Sequence, residues 1–229
     1  MKILALDTST RWLSVALFDG KHACTVRECV DTAASQRILP AIDEILARDG
    51  TPLASVDGIA FGAGPGAFTG VRIACGVAQG LAFGVARPVF AVGTLEAIAQ
   101  SAWRVHGWER VVACLDARMH EVYVAAYERD HNGWMLVREP AVDKPDAVDR
   151  FAGGWHGAGD AFAAYSGLAE RLGLAACDGA IIPDAHSVAE CAWPRVLARA
   201  GVPAHEAQPL YVRHRVALTS AERAAGVRL

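Results

Sequence analysis

The chain has 229 residues, enough for one large domain or two modest lobes that bury roughly 70% of the unfolded surface. Hydrophobic residues make up 53% of the chain and charged residues 21%, a composition that excludes an intrinsically disordered protein. The net charge of −3 argues against strong unaided binding to nucleic acid, which normally requires a basic surface, but a local basic patch is compatible with it.

The predicted elements of the first half begin with an apolar strand that ends at an aspartate. The predicted strands are Lys2–Asp7, Trp12–Phe18, His22–Arg27, Asp57–Phe61 and Pro88–Val92, and the predicted helices are Ser35–Arg48, Phe68–Val85 and a third helix capped by Thr94. The pair Asp19-Gly20 is a hairpin signal between the second and third strands. Strands and helices therefore alternate after an initial group of three strands.

The second half repeats this order of elements. The predicted strands are Val111–Leu115, Glu121–Tyr127 and Trp134–Arg138, followed by a helix at Lys144–Phe151 and by Trp155–Asp160, a strand and glycine turn that open another helix. Two halves that begin with strands and then alternate strands with helices predict a layered α/β architecture with mixed sheets. The halves are similar in element order, without a sequence repeat.

Neither a signal peptide nor a membrane span is predicted. The N-terminal apolar stretch Ile3–Leu6 is too short for a signal peptide, and the longest weakly polar run, Ile73–Val85, falls short of the roughly 20 residues that a membrane helix needs. The six cysteines and eight histidines form no CxxC, HxxxH or HExxH pattern. We therefore expect a cytoplasmic protein with free, buried cysteines and no metal site.

The most informative segment is F-G-A-G-P-G-A-F-T-G at residues 61–70, a glycine-rich turn between a strand and a helix. Such a loop can cradle an anion or an acidic partner at the helix N-terminus, or it can be a tight turn without a ligand. Gly62, Gly64 and Ala67 match a dinucleotide-binding pattern, but no acidic residue ends the next strand and Pro65 removes a backbone donor. A Walker motif is excluded because Val71 follows Gly70.

Two aspartates, Asp7 and Asp116, each end a buried strand at the start of a turn. Such carboxylates can hold a hydrated magnesium ion beside a nucleotide, although aspartate also favours turns for local reasons. Together with Thr8, Gly64 and Gly66 they form a candidate nucleotide or phosphate site. The sequence contains no G-x-S-x-G motif and no cysteine with a partnered histidine, so no catalytic residue is predicted.

Three glycines in the helix Phe68–Val85, namely Gly76, Gly80 and Gly84, are spaced four residues apart and fall on one face. Each interior glycine costs a helix roughly 0.5–1 kcal/mol relative to alanine. Their common face therefore indicates the close approach of another backbone. That backbone is either part of this chain or a helix of a second subunit.

Five motifs, in order, make the chain similar to the TsaB family, a subunit of the bacterial machinery that makes threonylcarbamoyladenosine in tRNA. They are I-L-A-L-D-T-S-T at 3–10, S-Q-R-I-L-P-A-I-D-E at 35–44, G-P-G-A-F-T-G-V-R-I at 64–73, L-D-A-R-M at 115–119 with E-V-Y at 121–123, and P-L-Y-V-R at 209–213. The resemblance covers nearly the whole chain. One departure is Ala34-Ser35-Gln36, where family members often carry His-Ser-Glu.

The resemblance implies a two-lobed α/β fold of the actin, Hsp70 and sugar-kinase superfamily, built from ribonuclease-H-like halves with mixed sheets. We expect an N-terminal lobe at residues 1–104, a C-terminal lobe at 105–208, and a tail at 209–229 that returns to the N-terminal lobe. The catalytic paralogue, TsaD, holds a metal through an HxxxH pair. Thr94 and Ile98 occupy those positions here and cannot replace imidazole, which implies that this chain is not the transferase.

The resemblance further implies a non-catalytic scaffold without a cofactor that pairs with a TsaD-type catalytic subunit. Alone, such a chain forms a homodimer through the same surface; a TsaE-type ATPase binds the pair, and tRNA is reached only through the complex. The residues mapped to this interface are Ile38, Ile42, Ile45, Gly76, Val77, Gly80, Leu81 and Gly84. The alternatives are an ATP-dependent phosphotransferase or ATPase of the same fold, and a peptidase, which no nucleophile or metal pair supports.

Overall fold

The computed structural model of the chain describes residues 1–131 and 133–212. Its strands are β1 (Ile3–Asp7), β2 (Trp12–Phe18), β3 (Ala23–Cys29), β4 (Gly58–Gly64), β5 (Val89–Gly93), β6 (Arg110–Arg118), β7 (Glu121–Asp130), β8 (Gly133–Asp143), β9 (His156–Ala158) and β10 (Ala176–Asp178). Its helices are α1 (Ala34–Asp49), α2 (Phe68–Val85), α3 (Thr94–His106), α4 (Ala161–Ala164), α5 (Leu168–Leu172) and α6 (Ala185–Leu197).

The strands form two five-stranded mixed sheets with the same plan. In the first sheet the order is β3-β2-β1-β4-β5, with β3, β2 and β1 antiparallel and β1, β4 and β5 parallel. In the second sheet β8, β7 and β6 are antiparallel and β6, β9 and β10 are parallel, in the same spatial order. The predicted two-lobed fold of duplicated ribonuclease-H-like halves with mixed sheets is therefore confirmed.

The first sheet is covered on both faces, which explains the unbroken apolar sequence of its central strand. One face packs against α1 and α2 in a core that includes Leu4, Leu6 and Ile59. The opposite face, which includes Ile3 and Ala5, packs against α6. A strand buried on both sides requires consecutive apolar residues instead of alternating ones.

The two lobes exchange helices. The first-half helix α3 contributes Leu95 and Ile98 to a core with strands of the second sheet. The second-half helix α6 contributes Val188 and Ala192 to the core on the first sheet. A division of the molecule by packing therefore differs from a division by position along the chain. The predicted boundaries at residues 104 and 208 stay predictions. The predicted tail at 209–229 is described only as far as residue 212.

Two local predictions were wrong. The segment Lys144–Phe151 contains turns and no helix, because Arg171 donates side-chain hydrogen bonds to the carbonyl oxygens of Asp146 (3.1 Å) and Val148 (2.8 Å). Thr94 does not cap α3 but is its first residue, and its hydroxyl accepts a hydrogen bond from Gly64 N–H at 3.1 Å. The sequence interpretation also omitted α5, β10 and α6. The Asp184 side chain caps α6 by accepting from Ser187 N–H, and this aspartate was a helix-start signal that the sequence interpretation did not use.

The prediction of free, buried cysteines is confirmed for their free state but not for the burial of all six, and one helix resembles a membrane span in composition. All six cysteines are free, but Cys29 and Cys177 are exposed because they lie on the edge strands β3 and β10. Within the described ranges, α2 alone has the length and apolar composition of a membrane span, a test that core helices of globular proteins also pass. A third of α2 is buried, so much of this apolar helix faces outward.

Candidate functional site

The three glycines of α2 lie on its open face. A Cβ atom built at Gly76, Gly80 or Gly84 meets no heavy atom of the described chain within 4 Å. Packing against the first sheet or α1, the alternative that the sequence left open, therefore does not account for these glycines. The helix instead presents a flat strip of backbone that spans two turns, about 12 Å along its axis.

Apolar side chains border this strip. Val77 and Leu81 are half-buried and pack with their inner atoms against the first core. Phe83, one turn from Gly80, is 84% exposed. The sequence interpretation missed Phe83, although a large aromatic residue on the glycine-rich side of a helix was a usable signal. An open apolar strip with an aromatic residue at its end is typical of a protein-binding surface.

Three residues assigned to the partner interface belong to the core instead. Ile38, Ile42 and Ile45 are 1%, 2% and 0% exposed and pack between α1 and the first sheet. Their spacing along α1 places them on the one stripe that faces the sheet, so it cannot also face a partner. This corrects the predicted surface, which now consists of the α2 glycines with Val77, Leu81 and Phe83; the interface itself stays a prediction.

The glycine-rich loop is packed against the turn between β1 and β2. A Cβ at Gly66 would lie 2.4 Å from the Ser9 carbonyl oxygen, and one at Gly70 would lie 1.8 Å from that of Thr8. Ala67 N–H donates to Ser9 O at 2.7 Å, and the Thr8 hydroxyl donates to Gly70 O at 2.7 Å. These glycines therefore allow close contact between two segments of the same chain, without requiring a phosphate.

Gly64 also has partners within the chain. Its φ of +107° is a conformation that favours glycine, and its N–H donates to the Thr94 hydroxyl. A Cβ there would lie 2.9 Å from the carbonyl oxygen of Leu210, whose own N–H donates to Ala63 O at 2.7 Å. The loop is thus held by the C-terminal segment on one side and by α3 on the other.

Asp7, the strand-end carboxylate of the first lobe, is sealed beneath this loop with 1% of its surface exposed. Its Oδ1 accepts hydrogen bonds from Ser9 N–H (3.0 Å) and Ser9 Oγ (2.8 Å), whereas Oδ2 has no partner among the described residues. A Cβ at Gly62 would lie only 1.9 Å from Oδ2. Burial raises the pKa of Asp7 from 3.8 to about 6, because water no longer solvates its charge.

The substitution Asp7→Asn is expected to remove a pH dependence of stability. The folded chain holds the Asp7 proton more tightly than the unfolded chain, so the free energy of unfolding falls by roughly 3 kcal/mol as pH rises from about 4 to about 6. Urea denaturation at intervals between pH 4 and 7 measures this slope. In the wild type, the free energy of unfolding should fall by this amount in addition to the changes that other titrating groups cause. In Asp7→Asn, only the changes from the other groups should remain.

The control for this slope is Asp19→Asn at an exposed turn. Hydrogen bonds from the His22 and Lys21 backbone amides lower the pKa of Asp19 to about 2, so its stabilisation is lost only as pH falls below about 4. Asp19→Asn should therefore leave the profile between pH 4 and 6 unchanged. Parallel profiles for wild type and Asp7→Asn would contradict the buried-acid assignment.

The second aspartate, Asp116, lies in a different place. It lines a cleft of about 1040 Å³ that has walls from both lobes, whereas Asp7 does not line it. Asp116 Oδ1 accepts hydrogen bonds from Arg118 N–H (2.9 Å) and Tyr165 Oη (3.2 Å), and Asp116 N–H donates to Asp160 Oδ1 at 2.9 Å. The structure therefore does not bring the two predicted magnesium ligands into one cavity.

The positions that match the metal pair of the paralogue are both buried. Thr94 and Ile98 are each 0% exposed; the Thr94 hydroxyl is bonded to Gly64 N–H, and Ile98 packs in the second-lobe core. Neither side chain is free to bind an ion. Across residues 1–131 and 133–212, no group of three or more His, Cys, Asp or Glu side chains has metal-binding geometry.

The chain is similar to proteins of known family. Residues 26–193 match a family model described as "TsaD: tRNA N6-adenosine threonylcarbamoyltransferase". A curated relative from Escherichia coli, named tRNA threonylcarbamoyladenosine biosynthesis protein TsaB, is 41% identical over 95% of this chain and 96% of its own length. The Haemophilus influenzae protein of the same name is 39% identical over 94% of this chain and 95% of its own.

A solved structure supports the same relation. A Pseudomonas aeruginosa protein, described as uncharacterized with similarity to peptidase YeaZ, is 43% identical and superposes with a TM-score of 0.85 over 93% of this chain and 99% of its own. The resemblance carried by the five sequence motifs is thus confirmed by identity along almost the whole chain. The chain belongs to the TsaB family of tRNA threonylcarbamoyladenosine biosynthesis proteins.

Proposed function

We propose that the chain is a non-catalytic scaffold that pairs with a TsaD-type catalytic subunit, supporting transfer of a threonylcarbamoyl group to the adenosine beside the anticodon of tRNA. The observation that carries this proposal is the open strip at Gly76, Gly80 and Gly84. Three alanines there would clash with nothing in the described chain and would stabilise the helix. Glycines that cost stability without serving internal packing indicate an external backbone at that face.

The chemistry of the strip favours a helix as the partner element. Glycines at four-residue spacing allow two helix backbones to approach closely, and Val77, Leu81 and Phe83 supply apolar contacts at the borders. The same surface would serve the homodimer that forms when the chain is alone, so the two assemblies exclude each other. A TsaE-type ATPase would bind the pair in the cytoplasm, and tRNA would be bound by the complex.

The residues at the two metal positions support a non-catalytic role. A transferase site of the TsaD type needs two imidazole ligands, and the buried Thr94 and Ile98 offer one engaged hydroxyl and one hydrocarbon side chain. The word peptidase describes the Pseudomonas aeruginosa relative's similarity and not this chain, whose sequence has neither a G-x-S-x-G nor an HxxxH motif.

An ATP-dependent phosphotransferase or ATPase is the second candidate, and the interlobe cleft favours it. The cleft contains Asp116 and Asp160, and its volume of about 1040 Å³ admits a nucleotide. Against it, Asp7 is sealed off and Gly64 and Gly66 are engaged within the chain. The first-lobe residues that would bind magnesium and phosphate therefore contact other parts of this chain instead.

Reconstitution distinguishes the two functions. The purified chain should co-elute with the TsaD-type subunit of the same cell, and threonylcarbamoylation of tRNA by that subunit should require the chain. Isothermal titration of the isolated chain with Mg-ATP should show no binding in the micromolar to millimolar range that enzymes use. Full modification without the chain, or ATP turnover by the chain alone, would overturn the scaffold proposal.

A further inference from the structure

Two arginine side chains converge on one tryptophan ring at the first-lobe wall of the interlobe cleft. The guanidinium carbon of Arg27 lies 4.8 Å, and that of Arg11 5.9 Å, from the centre of the Trp12 ring. All three residues line the cleft, and both arginines are exposed. Within residues 1–131 and 133–212, neither guanidinium has a hydrogen bond or a carboxylate within ion-pair distance. Two cations are therefore held at the cleft without a protein anion bound to them.

The tryptophan orders these cations. A guanidinium held over an indole gains about 0.5–1 kcal/mol at an exposed site and keeps its N–H donors available for a bidentate contact with a phosphate. Trp12 and Arg27 lie on the adjacent strands β2 and β3, in a register that pairs Trp12 with Cys29 and Ser14 with Arg27. The sheet thus fixes the spacing of the two backbone positions, and the ring contact with Trp12 restrains the Arg27 side chain, which lowers the entropic cost of binding.

The opposite wall of the cleft carries acceptors. Asp116 and Asp160 line it from the second lobe, together with Arg118. Arg118 is paired with Asp116 at 3.3 Å and its side chain is 87% exposed. Burial raises the pKa of Asp160, and the positive charges of Arg118 and Arg11 partly offset that shift. The first-lobe wall therefore carries two arginines and one carboxylate, Asp31, and the second-lobe wall carries two carboxylates and one arginine, so cations predominate on one wall and carboxylates on the other.

This polarity selects among anionic ligands. A nucleoside triphosphate without a divalent cation would place several negative charges near the two carboxylates, which costs electrostatic energy. A nucleotide residue within an RNA strand carries a single charge on its phosphodiester, and its 2′-hydroxyl and base amino groups are hydrogen-bond donors. Such a residue can satisfy both walls at once, and the volume of about 1040 Å³ is sufficient for it.

We propose that the interlobe cleft binds a nucleotide residue of single-stranded RNA, with Arg11 and Arg27 on the phosphodiester and the second-lobe carboxylates accepting from sugar or base. Choosing RNA rests on the proposed function, because the complex acts on tRNA. The chain then contacts tRNA directly and is more than a scaffold. The overall charge of −3 fits this arrangement, since the contact is local and adds to binding by the whole complex.

The test is tRNA binding by the reconstituted complex, measured by fluorescence anisotropy at several salt concentrations. Removing both guanidiniums, with Arg11→Ala and Arg27→Ala together, should weaken tRNA binding about tenfold. It should also reduce the salt slope of log K by about 0.7, since both arginines bind one phosphodiester and each single-strand phosphate contact contributes roughly that amount. Arg11→Gln with Arg27→Gln keeps long side chains over Trp12 and gives the same readout if the alanine pair does not fold.

The matched control removes the same charge at exposed sites that do not line the cleft, with Lys21→Ala and Arg199→Ala together. This control should leave affinity and salt slope near wild type; an equal loss would overturn the site in favour of general charge. Co-elution with the TsaD-type subunit is measured in parallel. Failure of wild type to co-elute rejects the proposed function, whereas intact co-elution with unchanged tRNA binding by the double variant rejects only the RNA contact.

A free mononucleotide offers the cleft the same phosphate, sugar and base as a nucleotide residue of RNA. Calorimetric titration of the complex with AMP separates it from an RNA strand. AMP binding that depends on Arg11 and Arg27, together with tRNA binding that does not, would overturn the assignment to RNA. Weak or absent AMP binding with loss of tRNA affinity in the double variant supports it.

Discussion

Gly80→Trp is expected to abolish co-elution of the chain with a TsaD-type subunit while the isolated chain stays folded. A Cβ at Gly80 meets no described atom within 4 Å, so the indole can point outward from the middle of α2 without strain inside the chain. A side chain of that size would hold a partner helix several ångströms away and remove the contact that the glycines permit. Size-exclusion chromatography of the mixture measures association, and a thermal melt of the variant alone measures folding.

Two comparisons make the Gly80→Trp result specific. Ser166→Trp places the same ring on an exposed turn of the second lobe and should leave co-elution intact. Alanine at Gly76, Gly80 and Gly84 together should raise the free energy of unfolding by about 1.5–3 kcal/mol and weaken association, because the added methyl groups improve the helix and obstruct the partner. Unchanged co-elution of Gly80→Trp would contradict the interface, and an unfolded variant would show that the glycines pack internally.

Arg104→Ala is expected to lower the free energy of unfolding by about 3 kcal/mol. The Arg104 guanidinium, on α3, donates to Ser187 Oγ (2.7 Å), Asp184 Oδ2 (2.7 Å) and Glu190 Oε2 (2.8 Å) on and beside α6. The carboxylate side chains are only 15% and 20% exposed, so removing the cation leaves two poorly solvated negative charges. The helix α3 packs against the second sheet and α6 packs against the first sheet. The Arg104 cluster therefore links elements of the two lobes.

Urea denaturation at neutral pH measures the loss, with Arg48→Ala as the control. Arg48 pairs with Glu44 on the exposed side of α1, where the side chains are 52% and 42% exposed, so its removal should cost about 0.5 kcal/mol or less. Arg104→Ala should also broaden the transition or split it in two, because the lobes lose a tie. An effect as small as that of Arg48→Ala would show that the Arg104 cluster does not stabilise the fold.

The apolar patterns predicted the bounds of two elements correctly, the strand Trp12–Phe18 and the helix Phe68–Val85. The strand is buried almost throughout and the helix along one side, and both kinds of burial show directly in the order of apolar residues. The predicted helix Lys144–Phe151 failed because a side chain distant in sequence, Arg171, binds the carbonyl oxygens of the segment. No local pattern reports such a contact.

The candidate site was also predicted only in part from the sequence. The sequence singled out Gly76, Gly80 and Gly84 by their spacing, and the motifs identified the family. Spacing did not show that Ile38, Ile42 and Ile45 face inward, since a single stripe of apolar residues reads the same against a sheet and against a partner. It also did not show that Asp7 and Asp116, alike in sequence context, lie in different environments.

The sequence by itself determined the order of elements, the duplicated plan, the lack of an imidazole pair and the glycine face, because each depends on residue type and local spacing. Only the tertiary structure decided which apolar stripe is internal, which lobe each helix covers, and which charged residues meet at the cleft. These depend on contacts between residues far apart in the chain, such as Arg104 with Glu190 or Tyr165 with Asp116. The local sequence pattern is compatible with several tertiary arrangements, and long-range packing makes one of them the most stable.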